Sequence, residues 1–147
     1  YGVIAGQVVD IESENLNLDD NEEFLQNTLN YIHTHKTADL FKLSLRTGAI
    51  IADADENQLD MITEFAQNLG FAFQIADDIL DETSTFEQMG KTLGKDKTAG
   101  KLTYVSLFGL EKAKRDLNDL IDKCFAILKD NNLKSEVIEK ILTKIRI

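Results

Sequence analysis

The chain of 147 residues contains no proline at all. Proline fixes φ and removes a backbone donor, so its absence leaves helices free to run long without kinks. There is one cysteine, Cys124, which excludes an internal disulfide and suits a reducing, cytoplasmic compartment. In LIDKCFAIL it sits among apolar residues at helical spacing, the setting of a core thiol. No apolar run approaches the roughly 20 residues that span a bilayer, and no signal-peptide pattern opens the chain, so no transmembrane segment is expected. Cations are scarce: 16 Lys and Arg against 26 Asp and Glu, a formal charge of −10. Phosphate backbones demand the opposite balance, which argues against nucleic acid as a partner. An acidic chain can still take an anionic ligand when metal ions stand between the two.

Strand alternation and internal repeats are also missing, whereas helical periodicity recurs throughout. GVIAGQVVDIES (2–13) reads as a helix, followed by the polar stretch NLNLDDNEE. A longer amphipathic helix is expected over about 28–54, with Leu29, Ile32, Leu40, Leu43, Ala49 and Ile50 on its apolar stripe. Another is expected over 57–82. Residues 83–101 hold Gly90, Gly94 and Gly100 with Lys91, Lys95, Lys97 and Lys101 and little periodicity, the composition of a mobile basic loop. A third long helix follows over 103–130, then a short one in SEVIEKILTKIRI. The fold class is all-α, a packed helical bundle. Tyr1, not methionine, opens directly onto an apolar helix-like stretch, as in a chain that begins mid-protein.

The stretch FAFQIADDILDE (71–82) places three carboxylates behind an apolar run. At about 100° per residue, Asp81 lies about 40°, Gln74 about 60° and Asp78 about 100° from Asp77, all toward one side of the helix. Acids near a helix C-terminus oppose the macrodipole, and burying a carboxylate is costly without a compensating cation. A face of hard oxygens suits Mg²⁺, which is commonly held by one or two carboxylates plus substrate phosphates. The alternative is a solvated helix end, and spacing alone leaves the two in balance. Lys36 and the loop lysines add point charges that could meet a metal-bound diphosphate, and the glycines would let the loop close over it. His33 and His35 are two residues apart and point to different faces, so they do not form a metal pair. Phe65, Phe71 and Phe73 fit packing better than a dedicated aromatic cage.

Taken in order, GQVVD (6–10), HKTADL (35–40), FQIADDILD (73–81) and GKTLGKDKTAGKLTY (90–104) with LFGLEKA (107–113) resemble the trans-isoprenyl diphosphate synthases. The likeness is greatest to the short-chain bacterial farnesyl diphosphate synthases (geranyltranstransferases), with geranylgeranyl diphosphate synthases nearby. It implies the isoprenoid synthase type of helical bundle, here the C-terminal half of a single domain over 1–147, and a homodimer. It implies condensation of isopentenyl diphosphate with dimethylallyl or geranyl diphosphate, assisted by Mg²⁺, to farnesyl diphosphate. By the same likeness Asp77, Asp78 and Asp81 would hold Mg²⁺ on the allylic diphosphate, supported by Asp96. Lys36, Lys91 and Lys101 would contact diphosphate. Thr37 and Gln74 would set their oxygens beside the allylic carbon. Phe73 would flank isopentenyl diphosphate, while Gln7 and Asp10 match the G-Q-x-x-D pair near the channel. No role carries onto Lys95, where the family varies.

The chain departs from the family pattern in one respect. The first aspartate-rich motif, and the upstream arginine and lysine that bind isopentenyl diphosphate, have no counterpart here; LDDNEE (18–23) and DADEN (53–57) lack the required context. Other readings are a geranylgeranyl or longer-chain synthase, a class I terpene cyclase, which the HKT and GK…D…GK motifs disfavour, and a non-catalytic partner subunit.

Overall fold

The computed structural model describes residues 2–14, 16–17, 21–89 and 101–147, with side chains described outside 84–89. Every described element is helical, as expected: α1 (Gly2–Ser13), α2 (Glu22–Ile32), a π-helical segment (His33–Ala38), α3 (Asp39–Ile51), α4 (Glu56–Met89), α5 (Tyr104–Phe108), α6 (Leu110–Asp130) and α7 (Glu136–Ile145).

The helix expected over 28–54 begins earlier, at Glu22. Asn21 caps it by accepting from the Phe24 amide, and Glu22 and Glu23 lie in the first turn, where acids complement the helix dipole. In sequence those polar residues look like the end of a loop; they are the start signal. From Glu22 to Ile51 the chain then runs on without a loop, through a π-helical turn that connects α2 to α3. Helix α4 continues past the expected end at 82 to Met89, because no glycine or proline intervenes before Gly90. The expected mobile loop therefore loses its first third to helix; 90–100 lie outside the described residues. The helix expected over 103–130 is divided at Gly109, whose φ of 79° side chains rarely adopt. A capping box between Thr103 and Ser106 starts α5.

Two apolar clusters hold the elements together. In the larger, Phe65, Leu69, Ala72, Ala76 and Ile79 of α4 meet Ala113, Leu117, Ile121, Cys124 and Leu128 of α6, with Leu142 of α7 closing the end. Both series step by three and four residues, the period that keeps one helix face inward. Burial pushes the Cys124 thiol up to about 12, so it stays protonated and packs as a small apolar group. The smaller cluster joins Leu25 and Leu29 to Leu102, with Leu107 and Phe108 against it. The apolar stripe expected to continue along α3 is shifted: Leu40, Leu43 and Ile50 are exposed, and the half-buried Phe41 and Leu45 pack against the larger cluster instead, with no residue of α3 completely buried.

Candidate active site

The π-helical segment carries HTHKTA, and two glycines of neighbouring helices press against its backbone. A Cβ on Gly6 of α1 would stand 2.2 Å from the Lys36 amide nitrogen, and one on Gly70 of α4 would stand 2.6 Å from Ala38 Cα. Only glycine lets α1 and α4 approach the segment's backbone this closely. The close approach places Lys36 and Thr37 against α1 and α4 respectively.

Lys36 Nζ donates to Asp10 Oδ2 of α1 at 2.6 Å, in a partly buried ion pair. Thr37 Oγ1 donates to Gln74 Oε1 of α4 at 2.7 Å. One turn further on, Gln74 Nε2 donates to Asp78 Oδ1 at 3.1 Å. Asp78 Oδ2 accepts the Tyr104 amide at 2.7 Å and lies 3.5 Å from His33 Nε2. These contacts tie the π-segment, α4 and the start of α5 into one polar chain. His33 is buried between the rings of Phe71 and Tyr104, with centroids 5.9 and 6.0 Å away. His35 turns the other way, with Nδ1 2.7 Å from Asp39 Oδ2.

The three carboxylates do not share one environment. Asp78, about 100° around the helix from Asp77, turns into the protein and is 6% exposed, whereas Asp77 and Asp81 stand on the exposed side. Burial alone would raise the Asp78 carboxyl, but the contacts from His33, Tyr104 and Gln74 outweigh it and hold it below the ordinary carboxylate range. Asp77 moves the other way: burial raises it first, then the charges of Asp81 and Asp78, with Lys101 and Lys36 acting in opposition. Among the described residues, no three His, Cys, Asp or Glu side chains gather closely enough to hold a metal by themselves. Asp77 and Asp81, one turn apart, still form a fitting donor pair for a divalent cation completed by phosphate oxygens. Such a cation would relieve the crowding of negative charge that raises Asp77.

Of the other residues singled out in the sequence, Phe73 is exposed and lies 5.5 Å, centroid to centroid, from Phe41. It lines an open apolar cavity of about 360 Å³ with Asp77, Leu80, Ile141 and Lys144. Gln7 is exposed on α1 and does not join the polar chain. Lys101 is exposed, and its charge reaches Asp77. Lys91 and Asp96 lie outside the described residues. Sequence reasoning missed His33, Tyr104, Gly6 and Gly70 as parts of the site. Tyr104 closes the last motif and Gly6 opens the first, so their position in the motifs was a usable signal; His33 and Gly70 had none.

An all-helical bundle that brings a lysine, a threonine and a glutamine beside an aspartate-rich turn is the architecture of an isoprenoid synthase. The chain belongs to the polyprenyl synthetase family, whose sequence pattern matches residues 1–145. It is 50% identical over 113 residues to the heterodimeric geranylgeranyl pyrophosphate synthase large subunit 2 of Arabidopsis thaliana, covering 77% of this chain and 29% of that protein. Among solved structures, it resembles an FPP/GFPP synthase from Zymomonas mobilis, with a TM-score of 0.73 at 29% identity, covering 98% of this chain and 45% of the other. It also resembles a geranyltransferase from Helicobacter pylori complexed with magnesium and isoprenyl diphosphate, with a TM-score of 0.66 at 31% identity over 98% and 45% of the two chains. The chain thus spans under half the length of these relatives. No helix among the described residues is long and apolar enough to cross a membrane.

Proposed function

We propose that this chain forms the second aspartate-rich wall of a prenyltransferase site, corresponding to the C-terminal half of the domain, at which isopentenyl diphosphate is joined to an allylic diphosphate. The observation that carries this reading is the Thr37–Gln74–Asp78 hydrogen-bond chain set beside Asp77 and Asp81 on α4. It gathers two neutral oxygens beside an anionic turn. Oxygens of that kind stabilise positive charge without capturing it as a strong nucleophile would.

In this reading Asp77 and Asp81 would hold Mg²⁺, with Asp96 in support and Asp78 behind them. Bound Mg²⁺ supplies charge neutralisation that makes diphosphate a competent leaving group. Lys36, kept in place by Asp10, and Lys91 and Lys101 share the diphosphate charge as point cations. Thr37 and Gln74 face the carbon where positive charge develops. The allylic C–O bond breaks with diphosphate as the leaving group, and the double bond of isopentenyl diphosphate, flanked by Phe73, attacks that carbon to form the new carbon–carbon bond. The resulting cation loses a proton to the released diphosphate, which leaves a new double bond. Gln7 belongs to the channel wall. Exclusion of water protects the cation, and preorganised oxygens and cations supply most of the rate.

Geranylgeranyl diphosphate is the product this reading favours over farnesyl diphosphate, because the plant relative at 50% identity is named a geranylgeranyl pyrophosphate synthase. The solved structures named for farnesyl products are less similar in sequence. Homodimerisation and a cytoplasmic location complete the reading; the plant relative, by its name, works as a heterodimer, so the chain's own assembly is a separate measurement. The test is prenyl transfer by the full-length protein with Mg²⁺, labelled isopentenyl diphosphate and dimethylallyl, geranyl or farnesyl diphosphate, with extracted products sized. Geranylgeranyl diphosphate supports the reading in full, and farnesyl diphosphate corrects its product alone. Failure to make any product while binding diphosphate with Mg²⁺ indicates a non-catalytic subunit, and no such binding overturns the reading.

A further inference from the structure

We infer that Asp78 is the positioning residue that decides which end of the Gln74 carboxamide faces the reacting carbon, an inference that rests on the prenyl-transfer reading above. A glutamine side chain has one accepting and one donating end, of nearly equal shape. Only the oxygen end can stabilise developing positive charge; the NH₂ end would repel it. Helical spacing places Gln74 at the site but leaves the orientation of its amide open.

Asp78 settles that orientation by its chemistry. An ionised carboxylate only accepts hydrogen bonds. The end of Gln74 that meets Asp78 Oδ1, at 3.1 Å, must therefore be Nε2. The carbonyl Oε1 is then turned toward Thr37, whose Oγ1 lies 2.7 Å away. The Thr37 hydroxyl gives its single proton to Oε1, so the two neighbouring oxygens keep lone pairs for a cationic centre. An amide turned over would put Nε2 against Thr37 and oppose two acceptors at Asp78.

Asp78 is itself immobilised. Its Oδ2 takes the Tyr104 amide at 2.7 Å, and His33 Nε2 stands 3.5 Å from the same oxygen. His33 is 2% exposed and its Nδ1 has no partner among the described residues, so the ring's polar contact there is directed at Asp78. Both oxygens of Asp78 are thus occupied by protein donors, and its buried carboxylate faces away from the side that exposes Asp77 and Asp81. The adjacent aspartates divide the work: Asp77 meets the ligand, and Asp78 sets the amide that meets the carbon.

Asp78→Asn in the full-length protein tests this. Asparagine keeps the shape but can offer its own NH₂ to Gln74, which lets the amide turn over. We expect kcat to fall about 10²-fold, the scale of a misplaced catalytic group, with KM for both diphosphates and the Mg²⁺ requirement unchanged. In a Gln74→Ala background the same substitution should cost little more, because both act through one carboxamide. A raised Mg²⁺ requirement, or an undiminished loss in the Gln74→Ala background, overturns the inference and returns Asp78 to the metal. Because the variant could fail to fold, the wild-type protein supplies a second readout. The Gln74 side-chain NH₂ should exchange its hydrogens much more slowly than exposed glutamine amides do, and exchange at the exposed rate overturns the inference. That measurement needs no turnover, so it stands apart from failure of the prenyl-transfer reading.

Discussion

Asp77 is the residue most at odds with its surroundings. Burial and the charges of Asp81 and Asp78 all disfavour its ionised form, and the cations nearby only partly offset them. Without a divalent cation, Asp77→Asn should therefore raise the melting temperature, while abolishing most of the further rise that Mg²⁺ gives the parent chain; thermal melts with and without Mg²⁺ read both effects. Lys36 and Asp10 form the opposite case, a pair that satisfies itself. Asp10→Asn should cost about 1.5–3 kcal/mol in urea unfolding, the range for a hydrogen bond to a charged group. Asp116 tests pH dependence at a distance from the acidic turn. Burial works against its charge, but contacts from Lys112 and Tyr104 hold its carboxyl below the model-peptide value of 3.8. Its folded pKa is depressed, so the stability it contributes is present above pH 3.8 and lost as pH falls through the lower folded value. Tyr104→Phe removes the hydrogen bond from Tyr104 Oη, 2.6 Å from Asp116 Oδ2. It should destabilise the chain by about 1 kcal/mol at neutral pH. The deficit should shrink in acid as Asp116 protonates, as denaturation at a series of pH values would show.

Among the elements, the π-helical segment has the tightest surroundings. Gly6 and Gly70 press on its backbone from α1 and α4, so a methyl group at either position must displace main chain rather than a flexible side chain. Gly6→Ala and Gly70→Ala should each cost about 1–3 kcal/mol, the range for overpacking. Both should also displace Lys36 and Thr37 and so impair catalysis. Gly48 of α3 provides the contrast, because a Cβ there meets nothing within 4 Å. Gly48→Ala should stabilise the chain by about 0.5–1 kcal/mol, since alanine is the better residue in a helix interior. Denaturant midpoints of the three variants would separate close packing from helix propensity; equal shifts would refute the close packing.

At the scale of the whole molecule, much apolar surface remains outside the two clusters. Ile4, Val8 and Ile11 form an exposed stripe on α1, and Leu40, Leu43, Ile50 and Ile51 lie exposed on α3, with Ile4 and Ile51 nearly four-fifths accessible. Exposed apolar side chains gathered on a helix face are one mark of a protein–protein contact. Leu43→Glu with Ile50→Glu should leave unfolding within about 0.5 kcal/mol per site, as surface changes usually do. It should weaken concentration-dependent association in sedimentation velocity; unchanged association would place the contact elsewhere.

The all-helical class, the core setting of Cys124 and the order of the four motifs were legible in the chain. Each depends on spacing between near neighbours, which helical geometry converts directly into a shared face. Helix ends were less so: Asn21 and Glu22 look like loop residues until capping is considered, and the polar residues after 82 carry no stop signal before Gly90. The polar chain was legible only in part: helical spacing set Gln74 and Asp78 on one side of α4 and the family likeness paired Thr37 with Gln74, but the contacts between elements were not. Lys36 finds Asp10 across 26 positions, Thr37 finds Gln74 across 37, and Asp78 finds the Tyr104 amide across 26. Spacing along α4 put Asp77, Asp78 and Asp81 on one side of a helix, but could not say where that side ended and the interior began. Packing against the π-helical segment and α5 drew that boundary between Asp77 and Asp78, because a carboxylate enters a protein interior only where donors from other elements are already in place to receive it.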